Sequence, residues 1–293
     1  MGSIDKTTFT AKVVELEIEA RKKFIDIRQT IHDRSGELNG DEESLKLPSI
    51  SIGAVEAMPV TDANFDSTDT INNQITLTLD SDYGKPIVVS ASAQAETPVA
   101  LLETYAKNAE IAHRTNRNAV ILAAIATAAD TANQHYKYAD TTDDVISAAD
   151  ILAAASVLDN AGAPDEGRYM AISASDHKYL FDIDNFISRD KMGQNGEAIP
   201  TNVIGMIHGF TVLKVPATEM PKINASTGAV DANAGLTSTL FWQQYAIAYG
   251  QHIYKLIGPE LKAGADAEWY NLHHKFGADT QVSTFAVSYR KNA

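Results

Sequence analysis

The chain contains no cysteine among its 293 residues. Disulfides, thiolate metal sites and cysteine nucleophiles are therefore excluded. Basic residues are also scarce, 24 Lys+Arg against 38 Asp+Glu, for a formal net charge of −14. A protein whose main task is to coat phosphate backbones needs a basic face, so that class is disfavoured. With 17 Gly and 9 Pro the chain is too poor in both to be collagen-like or low-complexity, and at 44% hydrophobic it is too apolar to be disordered. Long apolar runs are missing. The longest, from Ala119 to Ala129, is interrupted by Thr127 and followed by Asp130, well short of the roughly 20 residues needed to span a bilayer core. The opening Met1-Gly2-Ser3-Ile4-Asp5 lacks the basic-then-apolar layout of a signal peptide. These absences suggest a soluble product made inside a cell, including one assembled there and released by lysis. The length suffices for one large domain or two ordinary ones with a sizeable core.

The first element present is an amphipathic helix pattern. Phe9, Val13, Leu16, Ala20, Phe24, Ile27 and Ile31 recur at spacings of four and three, which lines one face of a helix. Such a helix either packs on its own domain or lays its stripe on a neighbouring subunit. Gly36, Asn39 and Gly40 end the pattern. A β-rich stretch follows: Leu45, Leu47, Ile50 and Ile52 with Pro48 marking an edge strand, then Ile75, Leu77 and Leu79 alternating with Gln74, Thr76 and Thr78, then Ile87 to Ala93. Asp62, Asp66 and Asp69 between the first two sets read as a solvated tip. This is a hairpin, either projecting from the body or lying within a compact sheet.

The longest element starts at Thr97, an N-cap residue type, with Pro98 at the first helical position. Helix formers then run without Gly or Pro to Asn133. About 35 helical residues would span roughly 50 Å, a spine crossing an extended subunit. The polar middle, His113, Arg114, Asn116, Arg117 and Asn118, leaves open a kink near Thr115 to Asn118. Beyond it the chain is mixed. Ser147 and Asp150 form a capping box for a helix over Ala148 to Leu158, ended by Gly162 and Pro164. Arg168 to Ser173 reads as a buried strand, and Ser175 as the cap of a short helix through Phe181. Met206 and Ile207, a His208-Gly209 turn, then Phe210, Val212 and Leu213 make a strand pair closed by Pro216. Pro216 to Gly235 reads as a polar loop, Leu240 to Tyr249 and Gln251 to Ile257 as strands or partly helical, and Val282 to Tyr289 as the last strand.

Catalytic constellations are absent from the sequence. Ser175, Asp176 and His177 have the residue types of a hydrolase triad but are consecutive, and neighbouring helical side chains diverge by about 100°. No nucleophile elbow, P-loop or paired-histidine zinc motif is present. Gly193 and Gly196 flank Gln194 and Asn195 with no following Lys-Ser/Thr, so they mark a loop rather than a phosphate cradle. His273 and His274 are adjacent and point different ways, and His252 is the nearest other histidine in sequence. Asp140, Asp143 and Asp144 lack the calcium-loop spacing. The triplet Arg21-Lys22-Lys23 sits among Glu17, Glu19 and Asp26, as on a charged helix face. No catalytic, cofactor-binding or metal-ligating residues are therefore assigned, no cofactor is expected, and the balance tilts to a structural protein.

The order of these parts, in an α+β chain, resembles that of the major capsid proteins of tailed bacteriophages, which have the HK97-like fold: an N-terminal arm, a β-hairpin called the E-loop, a P-domain with a long spine helix, and an A-domain. The wording of Arg168-Tyr169-Met170-Ala171-Ile172-Ser173-Ala174-Ser175-Asp176-His177-Lys178-Tyr179-Leu180 is similar to that family, as is Val203-Ile204-Gly205-Met206-Ile207-His208-Gly209-Phe210-Thr211-Val212. So are Ala246-Ile247-Ala248-Tyr249-Gly250 and Phe276-Gly277-Ala278. The resemblance covers nearly the whole chain and implies an arm at 1–40, the E-loop and flanking strands at 41–95, the spine at 96–140, an A-domain at 141–250 and a return to the P-domain at 251–293.

On that resemblance the chain is expected to be no enzyme. It would assemble with copies of itself, as hexamers and pentamers, into an icosahedral shell in the virion, built in the host cytoplasm around double-stranded DNA that it binds without sequence preference, and with no membrane partner. The arm begins almost at Met1, so a separate scaffolding protein is implied, with a portal and possible decoration proteins. Some relatives crosslink a Lys to an Asn, but no Lys or Asn here is assigned to such a pair. Removal of residues 1–35 is expected to block assembly and leave the A-domain folded. Two alternatives stand: an encapsulin-like shell enclosing protein cargo, and a soluble α/β binding protein or enzyme.

Overall fold

A computed structural model describes residues 26–38, 44–50, 72–90, 98–139, 144–183, 187–188, 203–224, 227, 229–231, 235–261 and 267–291. The Arg21-Lys22-Lys23 triplet, the tip aspartates 62, 66 and 69, Thr97, Gly193, Gly196 and most of the arm pattern lie outside these residues.

One long helix, α1 (Pro98–Thr131, 34 residues), runs beside two sheets. It is continuous, with no break at Thr115 to Asn118, and the two buried polar side chains there have partners. Arg117 and Asn118 are buried against the residues that precede the first strand. A second helix, α2 (Ala148–Asn160), carries the expected capping box, with Ser147 accepting from Asp150 N–H and Asp150 accepting from Ser147. It stops where Gly162 turns to φ +72°, and the Ala163 N–H to Leu158 oxygen and Gly162 N–H to Asp159 oxygen bonds close a Schellman motif.

In chain order the strands are β1 (His32–Asp33), β2 (Ser44–Ile50), β3 (Asn72–Thr78), β4 (Ser81–Ser90), β5 (His135–Lys137), β6 (Arg168–Ser173), β7 (Ile187–Ser188), β8 (Val203–Ile207), β9 (Phe210–Val215), β10 (Lys222–Asn224), β11 (Gly235–Gln243), β12 (Ile247–Leu261), β13 (Ala267–Thr280) and β14 (Ala286–Arg290). One sheet has the order β1-β12-β13-β4, a larger one β5-β14-β11-β6-β9-β8-β7 with β10 beside β11, and β2 pairs only with β3 among the described residues. The β8–β9 connection is the two-residue turn expected at His208-Gly209, with φ of +45° and +84°. That is the φ > 0 pair of a type I′ turn, which matches the right-handed twist of the flanking strands.

Two apolar clusters flank the eight-stranded sheet. Ile121, Leu122 and Ile125 of α1 pack with Leu240, Trp242 and Tyr249, and Ile151, Ala154 and Leu158 of α2 pack with Met170, Phe241 and Val287. Alternation along β11 places Leu240 and Trp242 on one face and Phe241 on the other.

Several sequence expectations are corrected. Ile27 and Ile31 do not continue an amphipathic helix: Ile27–Thr30 is a short 3-10 turn and Ile31 is extended, because the Asp26 carboxylate accepts from Arg28 N–H and starts the turn afresh. Ser175 caps nothing. The short helix is a 3-10 segment, His177–Asp182, with Asp176 at its N-cap, and Ser175 N–H is held by Ser173 Oγ. The strand expected at Ile87 to Ala93 starts earlier, since its partner β13 continues to Phe276 opposite Ser81. The 216–235 segment is not all loop: Met220 and Ile223 are in the core and β10 pairs with β11. The final strand begins only at Ala286, after a 3-10 turn at Ser283–Phe285. The segments 240–249 and 251–257 are strand rather than helix, apart from a turn at 244–246.

Candidate functional site: the junction of arm, spine and hairpin

The first described residues are stitched to the middle of α1. Asp26 is fully buried, and Arg117 reaches it with Nε at 3.3 Å from Oδ1 and Nη2 at 3.1 Å from Oδ2. The next residue of the helix, Asn118, accepts from Ile27 N–H at 3.2 Å through Oδ1 and donates through Nδ2 to Glu219 at 3.0 Å. Burial pushes the Glu219 carboxyl above the usual range, against the lowering effects of the Asn118 hydrogen bond, the Arg114 charge and Thr115. Further along, Trp242 Nε1 donates to Thr30 oxygen at 3.1 Å and Arg34 N–H to Tyr249 oxygen at 2.7 Å. β1 adds itself in parallel to β12, His32 opposite Ala248. The polar run that suggested a kink is thus the socket for Asp26 and Ile27, and residues 26–34 belong to their own chain's core.

One turn before this socket, His113 of α1 meets His274 of β13 edge to face, ring centroids 5.8 Å apart, and His274 also lies 4.8 Å from Phe276. Adjacent His273 points the other way, to Asp82 Oδ1 on β4 at 2.5 Å. The divergence of the two histidines follows from the two-residue period of a strand.

The β2–β3 pair forms the hairpin. Leu45 faces Leu77 and Leu47 faces Ile75, and these apolar residues rest on Ala248. Lys46, Thr76 and Thr78 occupy the exposed opposite side.

The consecutive Ser175, Asp176 and His177 take separate partners. Ser175 Oγ meets Ser173 Oγ at 2.9 Å, Asp176 accepts from Lys291 Nζ at 3.1 Å, and His177 Nδ1 lies 2.7 Å from Ala174 oxygen. No relay forms. Among the described residues no group of three His, Asp or Glu side chains could hold a metal ion, and no helix is long and apolar enough to cross a membrane.

No protein-family model matches the chain, and no curated protein matches it by sequence. Solved structures do match by shape. The capsid of the cyanophage P-SCSP1u superposes with a TM-score of 0.63 over 92% of this chain and 90% of that one, at 14% identity. The capsid of Ralstonia phage GP4 gives 0.62 over 93% and 90%, at 12% identity. A virus-like particle from Pyrococcus furiosus gives 0.55 over 96% and 98%, at 9% identity. At these identities the likeness shows the fold, which is the HK97-like capsid fold.

Proposed function

We propose that this HK97-like chain is the major capsid protein of a tailed bacteriophage, forming hexamers and pentamers that close into an icosahedral shell around double-stranded DNA. The observation that carries the reading is the likeness to phage capsid structures over about nine-tenths of both chains. The physics agrees with it. The β2–β3 pair rests its apolar face on Ala248 of its own chain but pairs with no other strand among the described residues, which leaves strand edges for a neighbouring copy to cover. Closed symmetry turns such individually modest contacts into a stable whole.

In this reading residues 1–40 are the arm, 41–95 the E-loop and its flanking strands, 96–140 the spine, 141–250 the A-domain and 251–293 the return to the P-domain. The subunit is structural rather than enzymatic, resides in the virion and is assembled in the host cytoplasm. A scaffolding protein, a portal and decoration proteins are its further partners. The acidic chain holds its DNA by enclosure rather than by charge. The phage reading is favoured over a cargo shell because the matching structures include capsids of named phages, at TM-scores of 0.63 and 0.62.

Electron microscopy of the purified full chain, alone and with the products of neighbouring genes, tests the proposal. Closed shells of one diameter that fill with double-stranded DNA are the expected result. A stable monomer under all conditions, or shells filled only with protein, would overturn it. The truncation that spares the part of the arm seated in the chain's own core ends at residue 25. Removing residues 1–35 would also take away Ile27 and Ile31 of the core and the Asp26 partner of Arg117. Deletion of 1–25 is expected to abolish closed shells while the chain keeps its cooperative melting.

A further inference from the structure

Four residues of the β12–β13 ladder share one face, Ala248 opposite Asp279 and Gly250 opposite Gly277. Three of them have little or no side chain, and across this flat patch the chain lays Leu77, Thr78 and Leu79. A Cβ on Gly277 would stand 1.9 Å from the Thr78 carbonyl oxygen and 3.1 Å from Leu79 Cα. This is backbone seated on backbone, and no other residue type fits without displacing the crossing. A Cβ on Gly250 would come within 3.0 Å of Leu77 and 3.3 Å of Leu79 side-chain atoms. Leu77 itself packs on Ala248. At the fourth corner Thr78 N–H donates to Asp279 Oδ2 at 2.8 Å.

The place of this crossing in the chain gives it a mechanical role. On one side β4 is fixed to β13 by a continuous ladder from Ser81 to Ser90. On the other, β3 pairs only with β2 among the described residues. Leu79 and Asp80 between them belong to neither ladder, so a change in the angle between hairpin and sheet must pass through the seat. We propose that the Thr78–Leu79 crossing is a seated joint that sets the angle of the β2–β3 hairpin, with Asp279 as a proton-sensitive catch. The joint is a property of the chain and works in a free subunit as in a shell.

The charges around the catch fix the direction of its response. Burial raises the Asp279 carboxyl above its ordinary value, the Thr78 N–H pulls it back, and the Asp80 carboxylate on the crossing raises it again. Along the same rung, Ala248 carries no charge and His32 beyond it is bonded through Nδ1 to Gln281 Oε1 at 3.0 Å. The docked state therefore binds the proton more tightly than a lifted state in which Asp279 faces water. By linkage a proton on Asp279 holds the hairpin down, and its loss loads the joint. A protonated carboxyl still offers its carbonyl oxygen to Thr78 N–H.

Hydrogen exchange of the full chain, compared at matched pH for wild type, Gly277→Ala, Asp279→Asn and Asp80→Asn, tests the joint. Gly277→Ala is expected to speed exchange in 44–50 and 72–80 by about tenfold or more while 148–160 and 168–173 stay protected. At neutral pH Asp279→Asn should slow exchange of the same peptides several-fold, roughly 2- to 5-fold, and Asp80→Asn should fall between it and wild type. The gap between wild type and Asp279→Asn should close as the pH falls into the carboxylate range. Unchanged hairpin protection in Gly277→Ala would overturn the seat. Faster exchange in Asp279→Asn, or a gap indifferent to pH, would overturn the catch. If Gly277→Ala does not fold, the two carboxylate variants decide alone.

Discussion

Arg117 holds both carboxylate oxygens of Asp26, a residue 91 positions earlier, and both side chains are closed off from solvent. A buried bidentate pair of this kind is costly to break from one side, because the survivor keeps its charge without its fork of hydrogen bonds. Asp26→Asn and Arg117→Ala are each expected to destabilise the chain by about 3–5 kcal/mol in chemical denaturation. Arg117→Lys, which keeps the charge and loses the planar fork, should lie between them and wild type. Equal loss for all three would mean that shape rather than charge holds the socket.

Glu219 gives the socket a pH signature. Burial raises its carboxyl above the ordinary range, so the folded chain holds that proton more tightly than the unfolded one. Its stabilising contribution is present below the unfolded carboxylate value and is lost as pH rises through the raised one. Glu219→Gln, which keeps an acceptor for Asn118, is expected to raise the denaturation midpoint at neutral pH. The advantage should vanish toward pH 4.

The start of α2 can be weighed separately. Ser147→Ala removes one cap and should cost about 1 kcal/mol. Asp150 accepts from Ser147 N–H, from Ser147 Oγ and from Ala139 N–H, at 2.9, 2.7 and 2.9 Å. Asp150→Ala should therefore cost more, about 2 kcal/mol, in the same urea titration.

Ser175 is an exposed turn residue. Ser175→Ala is expected to shift stability by no more than about 0.5 kcal/mol and to leave shell formation unchanged. A turnover assay with activated esters should read the same rate before and after the substitution.

Much of the architecture was legible because local chemistry and final structure agree. The Ser147 capping box, the buried Arg168–Ser173 strand, the His208-Gly209 turn and the unbroken spine from Pro98 all follow from short-range rules. Several of the failures share a cause, which is tertiary pairing. Lys275, His274 and His273 drew no element from the sequence, yet they sit in the fourteen-residue strand β13 because β12 and β4 flank it on both sides. Ile27 and Ile31 kept the helical spacing but joined the core beside α1, with Ile27 N–H bonded to Asn118. Arg117 in a polar run carried no sign that its partner lay near the other end of the arm pattern. The seat at Gly250 and Gly277 was equally silent, since only the register between two strands brings the glycines opposite each other.

The order of the large sheet, β5-β14-β11-β6, has a consequence for manufacture. Its inner rung is filled by Ala286–Arg290, between strands that leave the ribosome much earlier. Nascent or prematurely terminated chains lack that rung and keep two raw strand edges that cannot zip shut. A polypeptide that stops before Ala286 therefore lacks the rung that joins β5 to β11.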